Sequence, residues 1–461
     1  MPNKSLAWVL GEFVSTVRTE TLSEAALEES RIRLLDALGC AIAGAKNVTT
    51  KHAEKWAHRA SGTGASTYWF SGEHGMAQDC AFANSIFVHS ILHEDAGSSG
   101  HPACNVVPSA LAVGESEGAS GVEVLAAIAL GYEIQARIAA RGTVYKHARA
   151  GAFRWTAMTG IFGAAVAATR LMKLSPVHAK NAIAFCASLC SAGVEEPLNV
   201  GSFERCIQMG QLTRSGVLAA ELAWAGLDGA DGALDGDCGF YAAYMGADAP
   251  VDVISGGLGT TWLSVDTRGT YIYKPYPTAA LNIAATYCAE KINLGEKFSH
   301  ADVTQVLVRQ SWWDRNTGYI FTGPFKTVEQ ALMSAPFAVA TALISGKFDW
   351  PAVEKALGNP DVDALAKKVV MLGVMGAAHK RYESASVDVT LRDGRELRAA
   401  TDAMPPGTIA MNWEQAVQKF NAMTRHTMTG DVQARIATEI RELDRRPNVG
   451  TLVGCLHELK S

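Results

Sequence analysis

The sequence predicts a mainly α protein, with a large all-helical domain drawn from both ends of the chain and a smaller α+β domain between them. Three observations predict it. Ala-rich apolar residues recur at helical spacing from the start to about Met245. Short β-rich runs enter after about Gly256, and the stretch beyond residue 402 reverts to helix. The boundaries that follow are 1–262 for the first helical part, 263–402 for the α+β domain and 403–461 for the return to the helical domain.

In the first part, apolar stripes interrupted by Gly or Pro predict helices over residues 24–42, 80–92, 122–140, 156–172 and 212–225. Their many small residues permit close packing. In the second part, strands are expected at 270–273 and 303–310 and helices at 279–291 and 329–343. Strands 386–391 and 396–400 read as a hairpin, because Asp393-Gly394 between them suits a tight turn. Helices at 413–423 and 431–443 are expected to pack back onto the first domain. No fixed-period repeat and no low-complexity tract is present.

With 461 residues, 48% of them hydrophobic, the chain can bury a large core. A balance of 41 basic against 46 acidic residues advertises neither a nucleic-acid surface nor a membrane-binding face. The N-terminal residues run into an amphipathic segment carrying Glu12, Arg18 and Glu20, which predicts no export and a cytoplasmic protein. Apolar runs such as 161–168 fall short of the roughly 20 residues that cross a bilayer. Nine scattered cysteines, an odd number, fit a reducing compartment. Cys186 and Cys190 stand one helical turn apart, which could suit a redox pair, but their apolar neighbours favour a core face.

Four segments carry candidate chemistry. The first, His89 to Pro102, gathers His89, His93, Glu94, Asp95 and His101 at a helix end and in a Gly/Ser-rich loop. His89 and His93 share a helical face and could hold zinc with a third ligand, whereas a loop network that ends the helix needs none. His101, between Gly100 and Pro102, suits proton transfer. The second, Tyr145 to Arg154, places cations before an apolar helix, where free N–H groups favour an anion. A solvated surface loop is the other reading of the same residues. In the third, Arg205 stands before a long helix and could clamp a carboxylate bidentately. In the fourth, Lys274 lies between Tyr273 and Tyr276 among Pro275 and Pro277, surroundings that lower an ammonium pKa. The Gly-rich run 255–260 lacks the strand and the Gly-Lys-Ser/Thr ending of a phosphate loop and reads as a linker.

These segments, in this order, resemble the MmgE/PrpD family over nearly the whole chain. The resemblance is carried by Leu34-Leu35-Asp36-Ala37-Leu38-Gly39-Cys40, by His101-Pro102 leading to Val107-Pro108-Ser109-Ala110-Leu111-Ala112, and by the run from Gly160 to Ala168. Lys274-Pro275-Tyr276-Pro277 and Ser334-Ala335-Pro336-Phe337 follow. The resemblance implies a helical domain built from both chain ends, an α+β lid and an active site in the cleft between them, usually without cofactor or metal and often in a homodimer. It implies a small polycarboxylate substrate and places His101, Arg205 and Lys274 around one cavity, so that His101 and Lys274 are the expected catalytic groups and Arg154, Arg205, Asp95, Tyr145 and Tyr276 the expected substrate-binding ones, with Tyr145 or Tyr276 as the acid that a dehydratase would recruit. The sequence departs from the family's dehydratases and decarboxylases at Arg154, where they carry histidine, and at Arg205, where they carry lysine. It also departs at Leu92-His93-Glu94-Asp95-Ala96, where they carry an Asp-rich run.

A proton on carbon beside a carboxylate is weakly acidic, so its removal needs a positioned base and fixed positive charge near the oxygens that gain electron density. His101 and Lys274 can supply proton transfer, and Arg154 and Arg205 the charge. The resulting anion can expel a β-leaving group, be reprotonated on the other face, or arise by loss of carbon dioxide. A lyase is the expected activity. An epimerase acting on a dicarboxylate such as an iminodisuccinate-like compound, and an inactive helical binding protein, are the alternatives.

Overall fold

Local capping chemistry decides where the helices begin. Ser23 starts Glu24–Ala43 by accepting from the Ala26 N–H, and prolines at the first turn open Pro102–Ser116 and Pro176–Leu189. The computed structural model describes residues 4–140, 144, 153–191, 193–246, 248–265, 271–310, 317–373 and 384–460, with backbone alone at 317 and 318. Most described residues are helical.

Helices Ala77–His89, Pro102–Ser116, Gly121–Ile138, Trp155–Leu171 and Glu204–Trp224 pack on one another. Small residues allow this: a Cβ on Gly131 would come within 2.9 Å of the Gly163 carbonyl oxygen of a neighbouring helix. Trp413–Thr424 packs on Glu24–Ala43, and one continuous core runs from Leu6 to Tyr273 and again from Met411 to Leu456.

A second core surrounds a four-stranded sheet in the order Val369–Gly373, Val303–Gln310, Ala385–Leu391, Glu396–Thr401. The first pair is parallel and the other two antiparallel. Helix Ile283–Gly295 covers the sheet, with Ala335–Ser345 packed beside it. Cys40, Ala43, Ile91, Leu92 and Met423 reach into this second core, so the two bodies share a boundary layer beside His93 and Lys274.

Several elements differ from expectation. The run 329–343 is two helices, Val328–Met333 and Ala335–Ser345, because Pro336 cannot continue the hydrogen-bond ladder and the Ser334 hydroxyl caps a new start by accepting from the Phe337 N–H. The 279–291 helix opens as a 3₁₀ turn, Ala280–Asn282. The strand expected at 270–273 reduces to Tyr271–Ile272, which pairs with Ala96–Gly97. The Gly-rich run is built around an arginine: Arg137 donates to the carbonyls of Ile254, Gly256, Gly257 and Thr261, so oxygens point inward where a phosphate cradle would present N–H groups. Cys186 and Cys190 are buried, and burial pushes both thiols up, which suits core residues. Among the described residues no helix is long and apolar enough to cross a membrane.

Candidate functional site

Helix Ala77–His89 ends in the segment that carries the chemistry. Leu92 sits at φ +54, in the left-handed region that a side chain disfavours, and its carbonyl accepts from the Lys274 ammonium. Lys274 also donates to the Thr278 carbonyl at 3.3 Å and is fully buried. Burial pushes its pKa down to about 8, against the pull of Glu94.

Glu94 is the hub. Its Oε1 lies 2.6 Å from His89 Nδ1 and 3.1 Å from His101 Nδ1, while its Oε2 is buried without a partner among the described residues. Burial alone would raise this carboxyl, but the Lys274 ammonium and the two imidazole hydrogen bonds hold it well below the usual carboxylate range. His101 Nδ1 also lies 2.8 Å from the Asp95 carbonyl. A carbonyl only accepts, so Nδ1 carries the proton and Nε2 keeps its lone pair. No described residue hydrogen-bonds that Nε2, and the His101 side chain is 15% exposed, whereas His89 and Glu94 are sealed. Burial, with Lys274 and Arg154 nearby, lowers the His101 pKa and keeps the ring neutral at physiological pH, although Glu94 opposes this.

Arg154, at the start of helix Trp155–Leu171, is buried behind this group. It donates to His89 Nε2 at 3.1 Å, to the Arg205 carbonyl at 2.6 Å and to Gln208 Oε1 at 2.8 Å, and its Nε has no partner among the described residues. Burial and the neighbouring Arg205 push its pKa down to about 10. His89 therefore donates through Nδ1 to Glu94 and accepts through Nε2 from Arg154.

Arg205 differs from the expectation of an open carboxylate clamp. All three of its guanidinium nitrogens meet protein acceptors: Nε is 2.7 Å from Glu329 Oε2, Nη1 is 2.9 Å from the His89 carbonyl, and Nη2 contacts Glu329 and the Ser90 carbonyl. Its carboxylate partner comes from a helix of the second core, Val328–Met333. Asp95 offers no free oxygen either, since Oδ2 accepts from Tyr132 at 2.7 Å and Oδ1 from the Ala103 N–H at 3.1 Å. Tyr276 is turned away and donates to Glu290 at 2.6 Å. Tyr145 lies outside the described residues.

His101, Lys274, Arg154 and Arg205 thus share one electrostatic neighbourhood. His89, Glu94 and His101 bring ligating atoms within 4.8 Å of one another, and His93 stands apart from that group. A cation fits this trio poorly: both His89 nitrogens are engaged, and Arg154 and Lys274 lie alongside. Sequence reasoning noticed His89 and Glu94 only as possible metal ligands and missed Tyr132 and Glu329. Glu94 could have been found as an acid set between histidines, whereas the other two lie far away in sequence inside ordinary helices.

The chain matches the MmgE/PrpD N-terminal domain over residues 9–251 and the MmgE/PrpD C-terminal domain over residues 276–445. It is 23% identical to the cis-aconitate decarboxylase of Homo sapiens over 469 aligned residues, covering 96% of this chain and 92% of that protein. It is 25% identical to the cis-aconitate decarboxylase of Mus musculus over 256 residues, covering 54% of this chain and 52% of that protein.

Proposed function

This chain belongs to the MmgE/PrpD family, and from that premise we propose that it is a cofactor-independent lyase that moves a proton at the carbon next to a carboxylate of a small di- or tricarboxylate. One observation carries the reading: His101 has its Nδ1 proton fixed by backbone and carboxylate acceptors and presents an unprotonated Nε2 at the open edge of a buried cationic cluster. A base needs that combination of fixed tautomer, neutral ring and access.

In this reading His101 Nε2 accepts the α-proton, and the electron pair left on carbon is stabilised by the Lys274 and Arg154 charges. For an elimination, that pair forms the new double bond while the leaving hydroxyl takes a proton from the Lys274 ammonium and departs as water. For a decarboxylation, carbon dioxide leaves first and the Lys274 ammonium delivers a proton to the carbanion. Arg205 contributes fixed positive charge and holds the His89 carbonyl. The body around the second core serves as the lid, and the working form is a homodimer. The homology to decarboxylases supports the lyase class.

Epimerisation is the second reading. It is favoured by the retention of two proton carriers, His101 and Lys274, from separate segments while Arg154, which is not deprotonated, stands in the second segment. An inactive binding protein is disfavoured, because loss of activity gives no reason to keep a buried lysine poised near neutrality.

The test is incubation of the protein in deuterated water with a panel of di- and tricarboxylates that includes cis-aconitate, followed by NMR. A new or lost alkene signal supports the lyase, and deuterium exchange without net product supports the epimerase. No change with any acid overturns both.

A further inference from the structure

We propose that Asp95, and Tyr132 that holds it from a helix which does not reach the site itself, are positioning residues for His101, fixing its place at the mouth of the site and, with Glu94, its tautomer. Asp95 grips the segment at three points: its Oδ2 accepts from Tyr132, its Oδ1 accepts from the Ala103 N–H, and its backbone carbonyl accepts from His101 Nδ1. The helix after His101 begins with Pro102, which has no N–H, so Ala103 presents the first donor of that helix. His101 occupies the N-cap position but makes no side-chain cap bond. Asp95 caps the helix in its place, and the imidazole is thereby left available for chemistry.

The other end of the line is equally fixed. The Tyr132 ring is fully buried beneath the Arg33 guanidinium, 4.1 Å from the ring centre, and meets the Tyr271 ring edge-on at 5.5 Å. The Tyr271 hydroxyl contacts the Tyr132 carbonyl at 3.1 Å and Ser99 Oγ at 2.9 Å, and the Ser99 carbonyl accepts from Gln135 and Thr159. Gly100 removes the remaining slack, since its φ of +101 and a Cβ position 2.9 Å from Thr156 admit only glycine.

This arrangement has a pH dependence of its own. Arg33 and Asp36 act on Asp95 from helix Glu24–Ala43, Tyr132 from Gly121–Ile138, Tyr271 and Tyr273 from the strand side, and Cys104 from Pro102–Ser116. Burial pushes the tyrosines and the cysteine up, so they remain neutral donors, whereas burial brings Asp95 to about 7. Protonating Asp95 removes the charge that the Ala103 N–H and the Tyr132 hydroxyl face and reverses one bond, the Tyr132 hydroxyl then accepting. The grip on the segment weakens, and the carbonyl that accepts from His101 Nδ1 is held less firmly.

The role in turnover rests on the proton-transfer reading of His101, but the tautomer can be read without substrate. The experiment is imidazole ¹⁵N NMR of the full-length protein labelled at histidine, with the His101 signal assigned by its loss in His101→Gln. Spectra are recorded from about pH 6 to about pH 9 for wild type, Tyr132→Phe and Asp95→Asn. Wild type should show the Nδ1–H tautomer, with its ¹⁵N signals shifting as pH falls through about 7. Tyr132→Phe removes one hydroxyl and a hydrogen bond that favours the ionised carboxyl, so the transition should move to higher pH. Asp95→Asn, permanently neutral, should show the low-pH spectrum of wild type throughout. An identical tautomer and an identical transition in wild type and Tyr132→Phe would overturn the proposal, even if Asp95→Asn did not fold. Failure of the lyase reading would appear in the carboxylate panel and leave these spectra unchanged.

Discussion

Two buried charge clusters on the same chain, one around Arg137 and one around Glu94, are built on opposite principles. At one, Arg137 places its five N–H groups on Glu133 and on the carbonyls of Ile254, Gly256, Gly257 and Thr261, while Glu133 also accepts from the N–H groups of Leu263 and Ser264. Nothing is left over. At the other, Glu94 Oε2 and Arg154 Nε are buried without partners among the described residues, and no described residue hydrogen-bonds His101 Nε2. A buried polar group without a partner costs about 1–3 kcal/mol, and in the second cluster such groups lie beside the accessible imidazole. The saturated cluster pins a loop, and the unsaturated one is available for ligand and proton.

The largest effect that can sharpen this contrast is at the saturated cluster. Arg137→Met strands the Glu133 carboxylate and should lower stability by about 3–5 kcal/mol in chemical denaturation, with turnover per folded molecule unchanged. A loss of turnover in the folded fraction would break the distinction. Arg205 shares features of both clusters, since it is saturated yet adjoins the reactive group. Arg205→Ala leaves Glu329 buried and unpaired, so its melting temperature should fall before any change in substrate affinity becomes measurable. The opposite order would restore the open carboxylate clamp expected from sequence.

Next in size, Lys274→Met should fold and lose roughly a hundredfold in turnover, the usual scale for general acid–base help. The pH profile refines this. With an ammonium pKa of about 8, the acid form is lost as pH rises through that value, so lyase turnover should fall on its alkaline side. In Lys274→Arg the alkaline limb should disappear from that range. An epimerase using the neutral amine as a base would instead gain activity above about 8. Stability has its own sign: between about 8 and the ordinary 10.5 the unfolded chain binds the extra proton, so the folded state should gain stability with rising pH across that window. The smallest expected effect is that of chelators, which should leave turnover intact. Stoichiometric zinc whose removal abolishes activity would place a metal on His89, Glu94 and His101 after all.

Much of the helical core was legible, because helix caps and Ala-rich periodicity are local signals: residues 24–42 and 413–423 were placed within one residue of Glu24–Ala43 and Trp413–Thr424. Prolines misled in both directions. Pro102–Ser116, with Pro108 inside it, was not among the expected helices, and Pro336 was overlooked as a break. The edge strand Val369–Gly373 escaped notice because its exposed face does not alternate cleanly between polar and apolar residues. At the site, His101 and Lys274 were singled out from local Pro and Gly context together with family resemblance, and the structure brings them into one electrostatic neighbourhood. The partners of Arg205 and Asp95 were not found, since Glu329 lies 124 residues from the first and Tyr132 37 from the second, and only the tertiary fold brings them together.

The most direct test of the central claim is the turnover of His101→Gln, measured beside its melting temperature on any carboxylate that the wild-type protein converts. Glutamine can preserve a hydrogen bond to the Asp95 carbonyl but cannot accept a proton from carbon. The account predicts a melting temperature close to wild type and turnover lower by roughly a hundredfold or more. Wild-type turnover from the folded variant would contradict it and remove His101 from the mechanism.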